Sequence, residues 1–330
     1  MNWKGVKTLV TGAGGFIGSH LTEELLAGGA SVRALVHYNA RGHWGHLEDL
    51  PRPHPRRLEV LAGDVTDPYA MREAVRGREV VFHLAALIAI PYSYRSPASY
   101  VRTNVEGTLN VLEACRAAGV KRLVHTSTSE VYGTAVYAPI DEKHPLQGQS
   151  PYSASKIGAD KLAESYWRSF GLPVVTVRPF NTYGPRQSAR AVIPAILVQL
   201  LSGAKELRLG DLSPVRDFNF VADTVDGFLR AAAAPKLVGE TVNVGSGRGW
   251  TIRQVAERAC RLTGNRIPVR RDAARMRPGH SEVYRLLCDN RKARSLAGWR
   301  PRYSLDEGLA LSIQYIRAHL SEYKSGIYNV

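Results

Sequence analysis

Near the N-terminus a β-branched run, residues 6–10, passes through Thr11-Gly12-Ala13-Gly14-Gly15-Phe16-Ile17-Gly18 into a helical pattern that stops at Gly28-Gly29. Glycines between a strand and a helix allow a tight turn and let a pyrophosphate approach the backbone N–H groups at the helix N-terminus. The spacing is Gly12-x-x-Gly15-x-x-Gly18, not the more familiar G-x-G-x-x-G. A glycine triplet alone is also compatible with a structural turn. In a strand–loop–helix setting it points to a dinucleotide, with Gly12, Gly15, Phe16, Ile17 and Gly18 as candidate contacts.

The pattern after the loop repeats that unit. Strands are predicted at residues 31–36, 58–62, 79–84, 122–126 and 174–178, and helices at about 97–118 and 151–170. The second of these helices stops at Gly171, with Pro173 just beyond. Alternation of this kind predicts an α/β fold, a Rossmann-type doubly wound parallel sheet. The second half is more mixed. Helices are expected at about 193–202, 222–233, 251–263, 290–296 and 305–320, and short strands at 241–244 and 267–270. The expected division is a dinucleotide-binding domain over 1–182, with segments near 216–247 returning to it. A smaller mixed α/β substrate domain then occupies most of 183–330.

Composition excludes several classes. The 330 residues are 44% hydrophobic and 22% charged, unlike a disordered chain. The three cysteines are far apart and form no CxxC pair, which excludes a zinc ribbon or disulfide scaffold and fits a reducing cytoplasm. The ten histidines show no HExxH or other zinc spacing, so no metal is expected. The longest apolar stretch, residues 80–90, contains His83 and falls short of the roughly 20 residues a membrane helix needs. The N-terminus has no signal-peptide layout. The net charge is +15, but the basic residues are dispersed with no long run of one sign. That argues against nucleic acid and leaves either plain arginine-rich composition or attraction of a small polyanion.

Three further places carry chemistry. A dinucleotide fold usually ends its second strand in a carboxylate for the ribose. Here that place reads Leu35-Val36-His37-Tyr38-Asn39-Ala40-Arg41. His37 and Arg41 are either plain loop residues or partners of a 2′-phosphate, so NAD and NADP both stay open. Asp64 ends the third strand, where an adenine is expected, with Val65 beside it. Tyr152 and Lys156 are four apart on one helical face. Such a pair is often mere helix surface. Behind a glycine loop it reads as a tyrosine whose pKa a nearby ammonium lowers, ready to take a proton from a sugar hydroxyl. Thr128-Ser129-Glu130 follows the 122–126 strand at its C-terminal edge, where α/β sites form. Thr128 is placed to bond the reacting oxygen, and Glu130 is either a catalytic carboxylate or a cap for nearby amides.

Together, Gly12-x-x-Gly15-x-x-Gly18, Thr128, Tyr152 and Lys156 resemble the extended short-chain dehydrogenase/reductase superfamily, whose members typically act on nucleotide sugars. The resemblance extends to His83-Leu84-Ala85-Ala86, Arg178-Pro179-Phe180-Asn181-Thr182-Tyr183-Gly184-Pro185-Arg186 and Arg216-Asp217-Phe218. Within the superfamily, Thr128 to Gly133 is similar to the 4,6-dehydratases. The stretches 83–96, 126–145, 147–160, 178–194 and 323–330 are similar to the LegB group, which acts on nucleotide-activated N-acetylglucosamine.

The resemblance implies three steps. Tyr152 takes the 4-OH proton while hydride leaves C4 for a nicotinamide. Glu130 removes the C5 proton and the 6-OH departs as water. Hydride then returns to C6, so the cofactor is regenerated and should copurify. Many relatives have aspartate where this chain has Ser129, a poor acid, so Glu130 is expected to shuttle the proton it took. Leu84, Ala85, Ala86 and Pro179 are implied cofactor contacts. Ser93, Thr128, Asn181, Arg186, Arg216 and Arg277 are implied substrate contacts. Residues 87–90 either line an N-acetyl pocket or pack as core. The helices at 97–118 and 151–170 carry apolar faces and are implied to form a homodimer bundle, although a monomer core also explains such faces. The alternatives are a 4-epimerase, which has no use for Glu130, a UDP-glucuronate decarboxylase, which needs a cation such as Arg95 or Arg186 for the sugar carboxylate, and a non-catalytic dinucleotide sensor.

Overall fold

A computed structural model describes residues 2–50 and 56–325. The first half contains β1 (Lys7–Thr11), α1 (Phe16–Ala27), β2 (Ser31–His37), β3 (Leu58–Gly63), α2 (Pro68–Val75), β4 (Val80–His83), α3 (Ile90–Arg95), α4 (Pro97–Tyr100), α5 (Gly107–Ala118), β5 (Arg122–Thr126), α6 (Pro151–Phe170) and β6 (Val174–Pro179). The second half contains β7 (Thr182–Tyr183), α7 (Val192–Leu201), β8 (Leu207–Leu209), β9 (Val215–Asp217), β10 (Asn219–Phe220), α8 (Val221–Ala233), β11 (Thr241–Val244), β12 (Gly249–Thr251), α9 (Ile252–Thr263), β13 (Val269–Arg271), α10 (Arg291–Ala297) and α11 (Leu305–Ala318). Seven parallel strands form the central sheet in the order β11-β6-β5-β4-β1-β2-β3. This is the Rossmann-type doubly wound fold.

The inner strands are apolar on both faces, and neighbouring residues serve different layers. Val10, Phe82 and Val124 join a core with Leu21 and Leu25 of α1 and Phe228 of α8. Leu9, Val81 and Leu123 join a second core with Met71 of α2 and Val111 and Leu112 of α5. Beyond β6 the chain departs to build a smaller lobe, in which α7, α9 and α11 pack on one another. It comes back through α8, which lies against α1, and β11, which takes the sheet edge beside β6.

Helix α6 follows from its sequence. Ser150 caps it through a reciprocal bond with Ser153, Pro151 occupies the first turn, and Gly171 ends it in the left-handed region at φ 66°. The helix expected over 97–118 is present but is not α-helical throughout. Between α4 and α5, residues Val101–Glu106 form a π-helical segment. Its Asn104 bonds the backbone of Leu87 on both sides and Ser155 of α6, each at 2.9 Å. The first-half helices that sequence reading missed, α2 and α3, are short. Asp67 caps α2 by accepting from the Tyr69 N–H, and α3 lies where only a loop was expected.

Among the described residues no helix is long and apolar enough to cross a membrane. Of the terminal stretch 323–330, residues 326–330 lie outside the described ones.

Candidate active site

One cleft of about 1430 Å³ runs across the C-terminal edge of the sheet, from the glycine loop to the smaller lobe. That exceeds the usual range for a single small-ligand pocket and has room for a dinucleotide and a second nucleotide together. Gly12, Gly15, Phe16, Ile17 and Gly18 form its floor at one end. Gly12 has φ 70°, and a Cβ there would lie 2.8 Å from the Ala85 nitrogen. A Cβ on Gly18 would lie 2.2 Å from the Gly12 carbonyl. The loop is therefore packed tightly under α1, whose first N–H groups face the cleft. Leu84 and Ala85 are held by bonds from both amides to Thr11 Oγ1, each at 3.1 Å. They line the cleft with Ala86 and Pro179. Gly12→Ala is expected to destabilise the protein by about 1–3 kcal/mol through backbone strain and to weaken dinucleotide binding. Melting curves with and without NAD test this, and unchanged curves would show that the loop tolerates a side chain.

The adenosine end differs from expectation. β2 itself ends without a carboxylate, but Asp64 from β3 supplies one, 3.4 Å from His37 Nε2. Partial burial pushes the Asp64 carboxyl up, but bonds from Thr66 and the nearby His37 hold it below its ordinary range. The other His37 nitrogen pairs with the Tyr38 carbonyl at 2.8 Å. His37 lines the cleft, whereas Asp64 does not. Val65 does not either. Its side chain is buried against Gly107 and its carbonyl accepts from Asn110 at 3.0 Å, so the side chain packs rather than facing the cleft.

The chemistry gathers where β5 meets α6. Thr128 caps the 3₁₀ turn Ser129–Tyr132, its hydroxyl accepting from the Glu130 N–H at 3.2 Å. The Thr128 cap thus fixes Glu130, and both residues face the cleft with Ser129, Tyr152 and Lys156. Tyr152 is 7% exposed, and burial pushes its hydroxyl above the ordinary phenol range while a bond to Thr128 draws it down. Lys156 was expected to lower Tyr152. Instead, burial lowers Lys156 itself to about 8, opposed by the Asp160 charge.

Asp160 was missed by sequence reading, although it repeats the four-residue step from Lys156 on α6. Its carboxylate accepts from Ser127 Oγ at 2.7 Å and Arg178 Nη2 at 2.9 Å, and pairs with His125 Nε2 at 3.1 Å. Burial raises it, but His125 and Arg178 outweigh that and hold it at about 2. Arg178 in turn donates to Tyr132 at 3.0 Å. This buried network sits directly beneath Lys156.

On the far wall, Asn181, Arg216 and Arg277 line the cleft. The Asn181 Oδ1 is buried with no hydrogen-bond partner among the described residues, an acceptor left for a ligand. Arg216 donates to Glu282 at 3.0 Å, and Arg277 lies 3.8 Å from Glu130. Arg186 lines the cleft, and its guanidinium pairs with Glu23 of α1 at 2.9 Å, which ties the smaller lobe to the dinucleotide side. One expectation is corrected. Ser93 is fully buried in α3 and donates to the Ile90 carbonyl at 2.7 Å, so it does not face a sugar. Residues 87–90 divide. Leu87 packs with Ile90, Tyr100 and Tyr152, while Ile88 is exposed on the cleft wall beside Ala89. Among the described residues no group of His, Cys, Asp or Glu is arranged to hold a metal ion.

The fold and site define an extended short-chain dehydrogenase/reductase of the dehydratase and epimerase branch. More narrowly, the chain belongs to the GDP-mannose 4,6 dehydratase family, whose model matches residues 9–311. It is 35% identical over 319 residues to a UDP-glucose 4-epimerase of Mycolicibacterium smegmatis, covering 94% of this chain and 99% of that one. It is 33% identical over 324 residues to a dTDP-glucose 4,6-dehydratase of an Actinoplanes species, covering 96% and 99%. The solved dTDP-glucose 4,6-dehydratase double mutant of Streptomyces venezuelae, with NAD bound, superposes with a TM-score of 0.87 at 31% identity, covering 97% of this chain and 99% of that one.

Proposed function

We propose that the protein is a nucleotide-sugar 4,6-dehydratase acting on nucleotide-linked N-acetylglucosamine. The observation that carries this reading is Glu130, held by the Thr128 cap in the same cleft as Tyr152. A 4-epimerase only oxidises and re-reduces C4 and needs no such carboxylate. Residues up to 182 hold the dinucleotide, and those from 183 onward mainly hold the nucleotide sugar. The glycine loop, where side chains would collide, and the N–H groups of α1 suit a pyrophosphate. Of the two nicotinamide cofactors we favour NAD, because a 2′-phosphate beside His37 would meet the Asp64 carboxylate. NAD is also the cofactor in the Streptomyces venezuelae relative.

When bound there, the nicotinamide supplies the hydride acceptor and later the hydride donor. Tyr152 takes the proton of the sugar 4-OH, with Thr128 bonded to the same oxygen. The C4 ketone acidifies the C5 hydrogen. Glu130 takes that proton, the electron pair closes the C5–C6 double bond, and the 6-OH leaves as water carrying the proton back from Glu130. C6 then regains the hydride and C5 takes a proton from solvent, which gives the 4-keto-6-deoxy sugar. Lys156 orients the cofactor side of the site, and Asn181, Arg216 and Arg277 bind the sugar nucleotide. Ile88 and Ala89 give the cleft wall an apolar strip that suits an acetamido methyl. Val101, Leu109 and Phe170, exposed along α5, α6 and the π-helical segment, suit a homodimer.

Mass spectrometry of the purified protein with UDP- and GDP-linked N-acetylglucosamine, glucose, mannose and glucuronate tests the reading. Loss of one water supports it. An unchanged mass with an altered chromatographic position supports the epimerase, which the Mycolicibacterium smegmatis relative keeps in play. Loss of carbon dioxide supports the decarboxylase, for which Arg95 stands on the cleft wall. Glu130→Gln is expected to allow the first oxidation while cutting water loss by about 10²-fold or more. Exchange of the C5 hydrogen with solvent at the wild-type rate in that variant would remove Glu130 from the role of base.

A further inference from the structure

Tyr94 and Ser281 come from opposite sides of the cleft, and the reaction above gives neither a part. Tyr94 stands in the last turn of α3, on the dinucleotide side, and lines the cleft. Ser281 ends the 3₁₀ turn Gly279–Ser281 of the smaller lobe. Their hydroxyl oxygens lie 2.5 Å apart. The direction of this bond follows from the other partner. Ser281 gives its one hydrogen to the Gln149 carbonyl at 2.6 Å, and a carbonyl only accepts. Tyr94 is therefore the donor to Ser281 Oγ. Gln149 also holds the turn through its side chain, whose amide donates to the His280 carbonyl at 3.1 Å. Its Oε1 accepts from the Thr134 N–H, just after the turn that carries Glu130, and Gln149 directly precedes Ser150, the cap of α6.

One serine thus joins α3, the approach to α6 and the smaller lobe. The turn it ends lies between Arg277 and Glu282, which both line the cleft. Ser281 is 9% exposed and Tyr94 36%, so the chain of bonds runs from a sheltered anchor out to the rim. Contacts that close a site over its substrate commonly govern what leaves it and when. The chemistry gives that position weight. After the first oxidation the sugar is a C4 ketone without its hydride. A ketone that leaves at that point strands the nicotinamide in its reduced form, and the next turnover cannot begin. We propose that Tyr94 is a positioning residue, clasped to Ser281 across the mouth of the cleft, that keeps the oxidised sugar in place until the hydride returns. This rests on the reading of the chain as an enzyme that oxidises C4. A bond that served stability alone would alter melting and leave the products unchanged. A Tyr94 hydroxyl that only bound substrate would alter KM.

The test uses the cofactor-loaded full chain and the panel of UDP- and GDP-linked sugars named above. Released sugars are read by mass, stranded reduced nicotinamide by its near-ultraviolet absorbance, and folding by melting curves. Escape before water loss releases a sugar lighter than the substrate by two hydrogens, the 4-OH proton and the hydride, with one reduced nicotinamide left per molecule. Escape after water loss releases a sugar lighter by a further water. Tyr94→Phe removes one hydroxyl at the rim. It is expected to raise the escaping share of turnovers by about three- to tenfold, the worth of one neutral hydrogen bond, with the first oxidation at its wild-type rate. Ser281→Ala should do at least as much, since it also releases the Gln149 carbonyl. The double variant should match Ser281→Ala, because both changes remove the same bond. An escaping share equal to wild type in Tyr94→Phe, or a change confined to KM, overturns the proposal. If Ser281→Ala fails to fold, Tyr94→Phe alone decides. A wild-type protein that leaves every sugar of the panel unchanged removes oxidation at C4 and the clasp with it. Conversion by the wild type with no added escape in Tyr94→Phe removes the clasp alone. If the wild type epimerises instead of losing water, the dehydratase reading falls and the same two-hydrogen escape decides the clasp.

Discussion

Tyr152→Phe is expected to stop the reaction before any reduced nicotinamide forms, lowering turnover by about 10²–10⁴-fold, the usual worth of a positioned acid–base group. The phenylalanine ring keeps the packing against Tyr100, whose centroid lies 6.2 Å from that of Tyr152, so the fold should persist. The lost atom is the hydroxyl bonded to Thr128. Burial makes this phenol a poor proton acceptor in the free protein, so the hydroxyl relies on its neighbours when substrate arrives. Single-turnover absorbance with a saturating sugar nucleotide reads the first step directly. Turnover within about tenfold of wild type would place the proton acceptor on another group, and an altered melting curve would assign the loss to packing.

The second large effect is expected on stability. Asp160→Ala should destabilise the protein by about 3–5 kcal/mol, because it leaves the buried Arg178 guanidinium without its carboxylate. The sign with pH follows from the depressed carboxyl. Asp160 sits at about 2 in the folded protein against 3.8 ordinarily. Its contribution is complete above about pH 4 and is lost as the pH falls towards 2. Urea unfolding of both proteins over that range checks the magnitude and the slope. A difference below about 1 kcal/mol at neutral pH would mean that Arg178 is satisfied by Tyr132 alone.

The strands, the long helix α6 and the glycine loop were legible because each is a local pattern. Strands buried on both faces read as apolar runs, and Ser150, Pro151 and Gly171 punctuate α6 in sequence. Thr128, Glu130, Tyr152 and Lys156 were legible because two short motifs carry them. What escaped was set by distant contacts. The π-helical segment exists where Asn104 reaches across to Leu87 and Ser155, which no periodicity signals. Ser93 looked like a loop serine because α3 is too short to show a repeat. Asp160 had a signal, the step of four from Lys156, but its partners come from β5 and β6. Glu282 had none.

The groups proposed to move protons, Thr128, Glu130 and Tyr152, lie in the turn after β5 and the first turn of α6. The charged groups opposite them, Arg216, Arg277 and Glu282, come from much later in the chain, on short strands and turns of the smaller lobe. The residues proposed for reaction and for recognition are therefore carried by separate pieces of the gene. One exchanged carboxylate after β5 can change the reaction without rebuilding the grip on the nucleotide, while the smaller lobe meets that carboxylate through Arg277. A scaffold divided in this way is open to diversification, and relatives of similar identity with two different activities are what such a history leaves behind.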